Sequence, residues 1–232
     1  MLTPSARRLA LPVLRTLARA LARLGVGPNA LTVLGAVLHA PVVWCLAAFD
    51  TTWPAGVALA LAGAFDALDG AVARETDSVS PFGAFLDSVV DRVSESLVCF
   101  GLVLHAQRTG DAGLVRWALA FFAGSILVSY TRARAAGIGV RTQAGWFGRL
   151  ERTLAVGVGL LTGFLTPVVV IATVGAWATA LRRVVDVWHQ ARDADGAVER
   201  AANGNSFIED RERDPAEGKS DIARERAAEV QA

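Results

Sequence analysis

The chain is short of most residues that build a soluble metalloenzyme or a secreted domain. Its 232 residues include two cysteines, one methionine, one tyrosine and a single lysine, Lys219. Cys45 and Cys99 each lie in an apolar run, which excludes a disulfide framework and a thiolate zinc site. His39, His105 and His189 are scattered and lack metal-ligand spacing. Charge is scarce as well. Only 19% of residues are charged and 53% are apolar, against about 25% and roughly 45–50% in soluble domains. Mean hydropathy is +0.41. These figures exclude a disordered chain and an ordinary cytosolic enzyme.

What charge there is divides unevenly. Residues 1–192 hold 17 arginines, no lysine and 11 acids, whereas residues 193–232 hold the other 11 acids against 6 basic residues. The net charge of +1 therefore conceals a basic, greasy body and an acidic tail. A charge at the centre of a membrane helix costs at least ~2.5–3.5 kcal/mol, so the few carboxylates of the body are kept for a use.

A membrane helix needs roughly 20 mostly apolar residues. Six runs qualify as candidates: Ala30–Phe49, Trp53–Ala73, Phe82–Ala106, Leu114–Tyr130, Thr153–Phe164 with its flanks, and Pro167–Val187. Ahead of them, Thr3–Leu24 carries Arg7, Arg8, Arg15, Arg19 and Arg23 with no acid. Leu14, Leu17, Leu21 and Leu24 recur at helical spacing on another face, the pattern of an amphipathic helix lying on anionic lipid. No unbroken apolar stretch separates those arginines, which argues against a cleaved signal peptide. Basic residues in short loops face the cytoplasm. Arginines crowd the N-terminal segment, residues 132–152 and the end of the last run, while the alternate loops hold Arg108 alone. Both termini are thus expected to be cytoplasmic in a multi-pass protein of the cell membrane.

The expected fold is all-α: a polytopic membrane protein with six transmembrane helices and an N-terminal interfacial helix. Residues 1–28 form the interfacial helix and lead-in, 29–192 the six-helix membrane domain, and 193–232 a charged, disordered cytoplasmic tail.

Four of the eleven body carboxylates stand in a tight pattern. Asp66 and Asp69 are three residues apart, and Asp87 and Asp91 four apart, so each pair projects from one helix face. Ser80-Pro81 reads as an N-cap followed by proline at the first helical position. The two helices then run antiparallel, and the four carboxylates can meet at their facing ends. Such a gathering of like charge needs cancelling, by protonation, by Arg74 and Arg92, or by metal. Oxygen donors with neither thiol nor imidazole nearby suit Mg²⁺, Mn²⁺ or Ca²⁺. Gly70 removes a side chain beside Asp69, and Gly83 stands one turn before Asp87.

Written out, residues 66–91 give D-x2-D-G-x2-A-R-x8-G-x3-D-x3-D. This resembles the defining motif of the CDP-alcohol phosphotransferase (CDP-alcohol phosphatidyltransferase) family at every fixed position and spacing. The resemblance implies transfer of a phosphatidyl group from CDP-diacylglycerol to an alcohol hydroxyl, with CMP leaving. It implies two divalent ions, Mg²⁺ or Mn²⁺, on Asp66, Asp69, Asp87 and Asp91, with Asp91 also the general base. It places Asp69, Gly70, Ala73, Arg74 and Gly83 around the CDP moiety, with Asn29 and Thr32 contributing. It further implies a homodimer among membrane lipids and no nucleic-acid partner. The chemistry agrees: cations stabilise an anionic pyrophosphate and its leaving group, and a carboxylate can take the acceptor's proton.

The second arginine cluster bears on the acceptor. Ser129-Tyr130-Thr131-Arg132-Ala133-Arg134-Ala135 and Arg149-Leu150-Glu151-Arg152 resemble the phosphatidylinositol phosphate and archaetidylinositol phosphate synthase branch. There the acceptor is inositol phosphate, and Arg132, Arg134, Arg149 and Arg152 become candidates for its phosphate. Gly148 and Leu150 depart from that branch, where glutamate and proline are expected. Glycerol 3-phosphate, giving phosphatidylglycerophosphate, is the alternative acceptor. Two other classes compete. An intramembrane prenyltransferase also uses paired acidic motifs with Mg²⁺, but lacks the Gly70-x-x-Ala73-Arg74 continuation. A transporter would need a second half matching the acidic segment, and none is present.

Overall fold

Helix ends in this chain follow local chemistry. The computed structural model describes residues 16, 19–21 and 23–213 apart from 76–79, and for 67–71, 75, 195 and 197–213 the backbone alone. Among the described residues all regular structure is helical. The helices are α1 (Pro28–Val37), α2 (Ala40–Ala48), α3 (Trp53–Glu75), α4 (Pro81–Thr109), α5 (Ala112–Gly137), α6 (Arg149–Thr162) and α7 (Leu165–Arg213).

Helices α1 and α2 form one bent rod. Pro41 in the first turn of α2 has no N–H for the carbonyl of Val37, so the ladder breaks at Leu38–His39. At the start of α4 the expected cap is present: the Ser80 hydroxyl accepts the Gly83 N–H at 3.0 Å, with Pro81 following. Asp111 caps α5 in the same way, accepting the Leu114 N–H at 2.8 Å.

The helices pack as a closed ring. The α1–α2 rod lies against α3 and α4, α4 against α5, α5 against α7, α7 against α6, and α6 against α3. Val42, Leu46, Leu59, Leu102, Leu160 and Val169 fill its centre, each at most 3% exposed. Burial of such a side chain is worth ~1.5–3 kcal/mol.

Among the described residues three segments are long and apolar enough to cross a membrane: Pro28–Ala48, Ala112–Gly137 and Leu165–Ala194. The remaining expected spans depart from that measure for physical reasons. Helix α4 carries Asp87, Asp91, Arg92 and Glu95, and α6 has only 14 residues, about 21 Å at 1.5 Å per residue against a ~30 Å hydrocarbon core.

Helix α7 runs to Arg213, well into the segment expected to be a disordered tail. No proline interrupts the sequence between Pro167 and Pro215, and alanine, arginine and glutamate there favour helix. Most of the expected N-terminal helix, including Arg7, Arg8 and Arg15, lies outside the described residues. Arg19, Ala20, Leu21 and Arg23 are helical, and Leu21 packs against the small cluster of Leu31 and Val72.

Candidate active site

Arg149 draws together Asp66, from the C-terminal half of α3, and Asp91, from the N-terminal half of α4, at one end of the ring. Asp66 and Asp91 are both mostly buried there, at 18% and 15% side-chain exposure. They converge on one guanidinium. Arg149, the first residue of α6, reaches the Asp66 carboxylate with Nη2 and Asp91 Oδ1 with Nη1, the latter at 2.6 Å. Gly35 on α1 lies close against Asp66: a Cβ there would stand 2.7 Å from Asp66 Oδ1, so the carboxylate would have to shift. Asp87, one turn ahead of Asp91, is exposed. The side chain of Asp69 lies outside what is described, and Gly70 is described by its backbone alone.

Beneath this clamp is a second ion-pair layer. Arg152, one turn after Arg149, is 1% exposed and bonds Glu95 at 2.8 Å through Nε and the Phe147 carbonyl at 3.3 Å through Nη1. The Ser125 hydroxyl donates to the same Glu95 oxygen. Arg92 lies 3.6 Å from both Asp91 and Glu95. The Asp66–Arg149 pair opens onto a cavity of about 350 Å³, with Ser94, Glu95 and Arg152 among its polar lining and Leu59, Val98 and Phe121 among its apolar walls.

The loop that delivers Arg149 is held from α7. Arg183, 7% exposed, donates to the Ala144 carbonyl at 3.0 Å and to the Val128 carbonyl on α5. Asp186 accepts the Thr142 hydroxyl at 2.5 Å, and the Thr179 hydroxyl accepts the Phe147 N–H at 3.3 Å.

The expected site residues thus separate into groups. Asp66, Asp91, Arg149 and Arg152 come together. Ala73 is half-buried and Arg74 exposed in the last turns of α3. Asn29 meets the start of α4, since a Cβ on Gly83 would stand 3.3 Å from Asn29 Oδ1 and 3.1 Å from Ser80 Oγ. Thr32 is buried and turns its hydroxyl to the Pro28 carbonyl at 3.1 Å. Arg132 and Arg134 are exposed on the last turns of α5, apart from the half-buried Arg149 and the buried Arg152.

Two residues of this constellation escaped the sequence reading. Glu95 was legible, because Asp87, Asp91 and Glu95 form an i, i+4, i+8 stripe on α4. Arg183 was not, because nothing local separates it from its exposed neighbour Arg182.

A divalent ion fits this donor set. Asp66 and Asp91 offer oxygen ligands, which suit hard cations, and both already converge on a single positive group. Among the described residues no three His, Cys, Asp or Glu side chains converge as a complete metal cage. Asp69, the remaining expected ligand on α3, is outside them.

Comparison with known proteins adds to this geometry. A model described as CDP-alcohol phosphatidyltransferase matches residues 26–188. Over 180 residues the chain is 37% identical to an archaetidylinositol phosphate synthase of Pyrococcus horikoshii, covering 75% of this chain and 89% of that protein. Over 197 residues it is 34% identical to a phosphatidylinositol phosphate synthase of Mycobacteroides abscessus, covering 82% and 88%. The crystal structure of the Mycobacterium tuberculosis phosphatidylinositol phosphate synthase with CDP-DAG bound superposes with a TM-score of 0.73 at 29% identity, covering 76% of this chain and 94% of that one. The same protein in complex with manganese and citrate gives a TM-score of 0.69 at 28% identity, covering 75% and 88%.

Proposed function

The chain belongs to the CDP-alcohol phosphatidyltransferase family, and from that premise we propose that it transfers a phosphatidyl group from CDP-diacylglycerol to a phosphorylated polyol, inositol phosphate being the favoured acceptor. The observation that carries this reading is Arg149, a guanidinium held between two carboxylates at the mouth of a cavity with mostly apolar walls. An anionic head group competes with Asp66 and Asp91 for that guanidinium, and a two-armed arginine suits phosphate.

In the proposed reaction the acceptor hydroxyl oxygen attacks the phosphorus that bears the diacylglycerol. The new P–O bond forms as the bond to the CMP oxygen breaks, and the hydroxyl proton passes to the Asp91 carboxylate. Arg149 orients the acceptor by its phosphate. Arg74 borders the CMP phosphate. Gly83 leaves room where Asn29 approaches the start of α4, and the two positions edge the nucleotide. Two divalent ions, Mg²⁺ or Mn²⁺, on Asp66, Asp69, Asp87 and Asp91 would supply charge neutralisation to the pyrophosphate and to departing CMP.

A lipid donor accounts for the placement of this site at one end of an apolar bundle, with acyl chains in the bilayer and the CDP head outside it. The same reading counts six helical passes, with α6 the short one, and puts the site and both termini on the cytoplasmic side. The arginines at that end support it.

Purified protein in liposomes with CDP-diacylglycerol, assayed for CMP release against a panel of alcohols, tests the reaction. Fast release with inositol phosphate, abolished by EDTA and restored by Mg²⁺ or Mn²⁺, is the expected result. Absence of CMP release with every phosphorylated alcohol overturns it.

A further inference from the structure

The segment between α5 and α6 lies antiparallel along α7, and its contacts step along that helix at helical spacing. Going towards Arg149, Thr142 meets Asp186, Ala144 meets Arg183 and Phe147 meets Thr179. The three α7 positions are three and four residues apart, so they share one helix face. The fit is closest at the end nearest the site. A Cβ on Gly145, where φ is +99°, would stand 2.3 Å from Thr179 Cγ2. A Cβ on Gly175, one turn before Thr179, would stand 2.9, 3.0 and 3.2 Å from Phe147 Cγ, Cδ1 and Cδ2. Both flanking ring carbons are nearly as close as Cγ, so the Phe147 ring lies flat on the Gly175 backbone.

Phe147 stands two residues ahead of Arg149 and is held on several sides. Its N–H donates to Thr179 Oγ1 at 3.3 Å, and its carbonyl accepts Arg152 Nη1 at 3.3 Å. Its ring packs against the core as well as against Gly175. A methyl on Gly175 cannot be cleared by spinning the ring, because Cγ does not move in that rotation. Either the Phe147 backbone or its χ1 rotamer must change, and close-packed interiors transmit such strain. Past Gly148, Arg149 opens α6, and its fork must reach Asp66 and Asp91 on two other helices. We infer that the seat of Phe147 on Gly175 sets the position of Arg149 in the site. Both are positioning residues, acting through Arg149. This rests on the reading above of Arg149 as the group that holds the acceptor's phosphate. It gives α7, which carries none of the four motif carboxylates, control over how the acceptor is held.

The test uses the full chain in liposomes with CDP-diacylglycerol and whichever of inositol 1-phosphate and glycerol 3-phosphate the wild type uses faster. KM and kcat for that acceptor are read separately. Gly175→Ala adds one methyl, and alanine is favoured over glycine within a helix, so α7 itself is not weakened. KM is expected to rise roughly tenfold, inside the ~10²-fold that a 1 Å misplacement can cost, with kcat within about threefold of wild type. Combining Gly175→Ala with Phe147→Leu trims the ring that the methyl strikes and is expected to recover most of the KM. Gly101→Ala is the control. Its methyl would stand 2.8 Å from Leu46 Cδ1, a similar clash in the core away from this segment, and it should leave KM unchanged. The inference is overturned by an unchanged KM in Gly175→Ala, or by a fall confined to kcat, the mark of fewer folded molecules. A double variant as impaired as the single, or an equal rise in KM in Gly101→Ala, overturns it as well. Each of these outcomes leaves the transfer reaction standing. A wild type that turns over neither acceptor overturns the proposed reaction itself, and the inference with it.

Discussion

The two ends of the helical ring use polar side chains in opposite ways. At the end away from the site, Asp50 pairs with Arg108, which also donates to the Phe49 carbonyl. Asp111 accepts the Leu114 N–H at 2.8 Å and the Thr166 hydroxyl at 3.0 Å, and the Thr52 hydroxyl donates to the Leu160 carbonyl at 2.6 Å. These contacts cap helices and close turns. At the site end, Asp66 and Asp91 share a guanidinium from a helix begun 58 residues after Asp91. Behind them four buried polar atoms, on Arg92, Ser94, Glu95 and Arg152, lack hydrogen-bond partners. One end satisfies the backbone, and the other holds unsatisfied polarity in reserve. Partly satisfied networks in a low dielectric are costly, and proteins keep them where function fills them.

The largest effect that separates the ends is on turnover. Asp91→Asn removes the proposed base while keeping the side-chain shape. It should lower kcat by ~10²–10⁴, with helix content by circular dichroism unchanged. Asp111→Asn, the matching change at the other end, should leave kcat within about twofold. Near-normal turnover in Asp91→Asn would show that the two ends do not differ in kind. Arg149→Lys comes next. It keeps the charge and loses the two-armed reach, so KM for the acceptor should rise more than kcat falls, by roughly tenfold.

Stability draws the same contrast through two ion pairs. Arg152 and Glu95 have side-chain exposures of 1% and 10%, whereas Arg108 and Asp50 have 31% and 93%. Breaking a buried pair strands a charge, so Glu95→Leu should cost ~3–5 kcal/mol in thermal unfolding in detergent. Pairing that mutation with Arg152→Met should recover much of the loss, because it removes the stranded charge as well. A double variant no more stable than Glu95→Leu alone would mean that packing, not charge, dominates that layer.

Much of this site was legible in the chain. Asp66 and Asp91 stood out because acids are rare in an apolar body, and their helical spacing put each on a definite face. Ser80-Pro81 announced the start of α4, and the cap is there. The fate of the arginines was less legible. Arg132, Arg134, Arg149 and Arg152 look alike as sequence, but two are exposed on α5 while Arg149 and Arg152 turn inward on α6. That division depends on which face of α6 meets α3 and α7, a tertiary fact with no local signature. The bend between α1 and α2 was available from Pro41. The approach of Gly35 to Asp66 was not, because it joins helices packed across the bundle.

The smallest effects belong to the end away from the site. The Leu114 N–H and then the Thr166 hydroxyl hold the Asp111 carboxyl below the usual carboxylate range. A depressed folded-state pKa means that this stabilisation is present above the unfolded value near 4 and lost as pH falls through the folded one. Asp111→Ala should therefore cost ~1 kcal/mol at pH 7, the worth of a helix cap. The gap from wild type in thermal unfolding should narrow below about pH 4, and a gap that stays constant into strong acid would remove the carboxylate from the explanation. Asp50→Asn should do less still. The pair it breaks is exposed, so the cost should stay under ~1 kcal/mol and shrink further in high salt, where exposed charges are screened. The Glu95–Arg152 pair is buried and should respond little to the same salt. A salt titration of Asp50→Asn beside Glu95→Leu therefore measures directly how differently the two ends sit with respect to water.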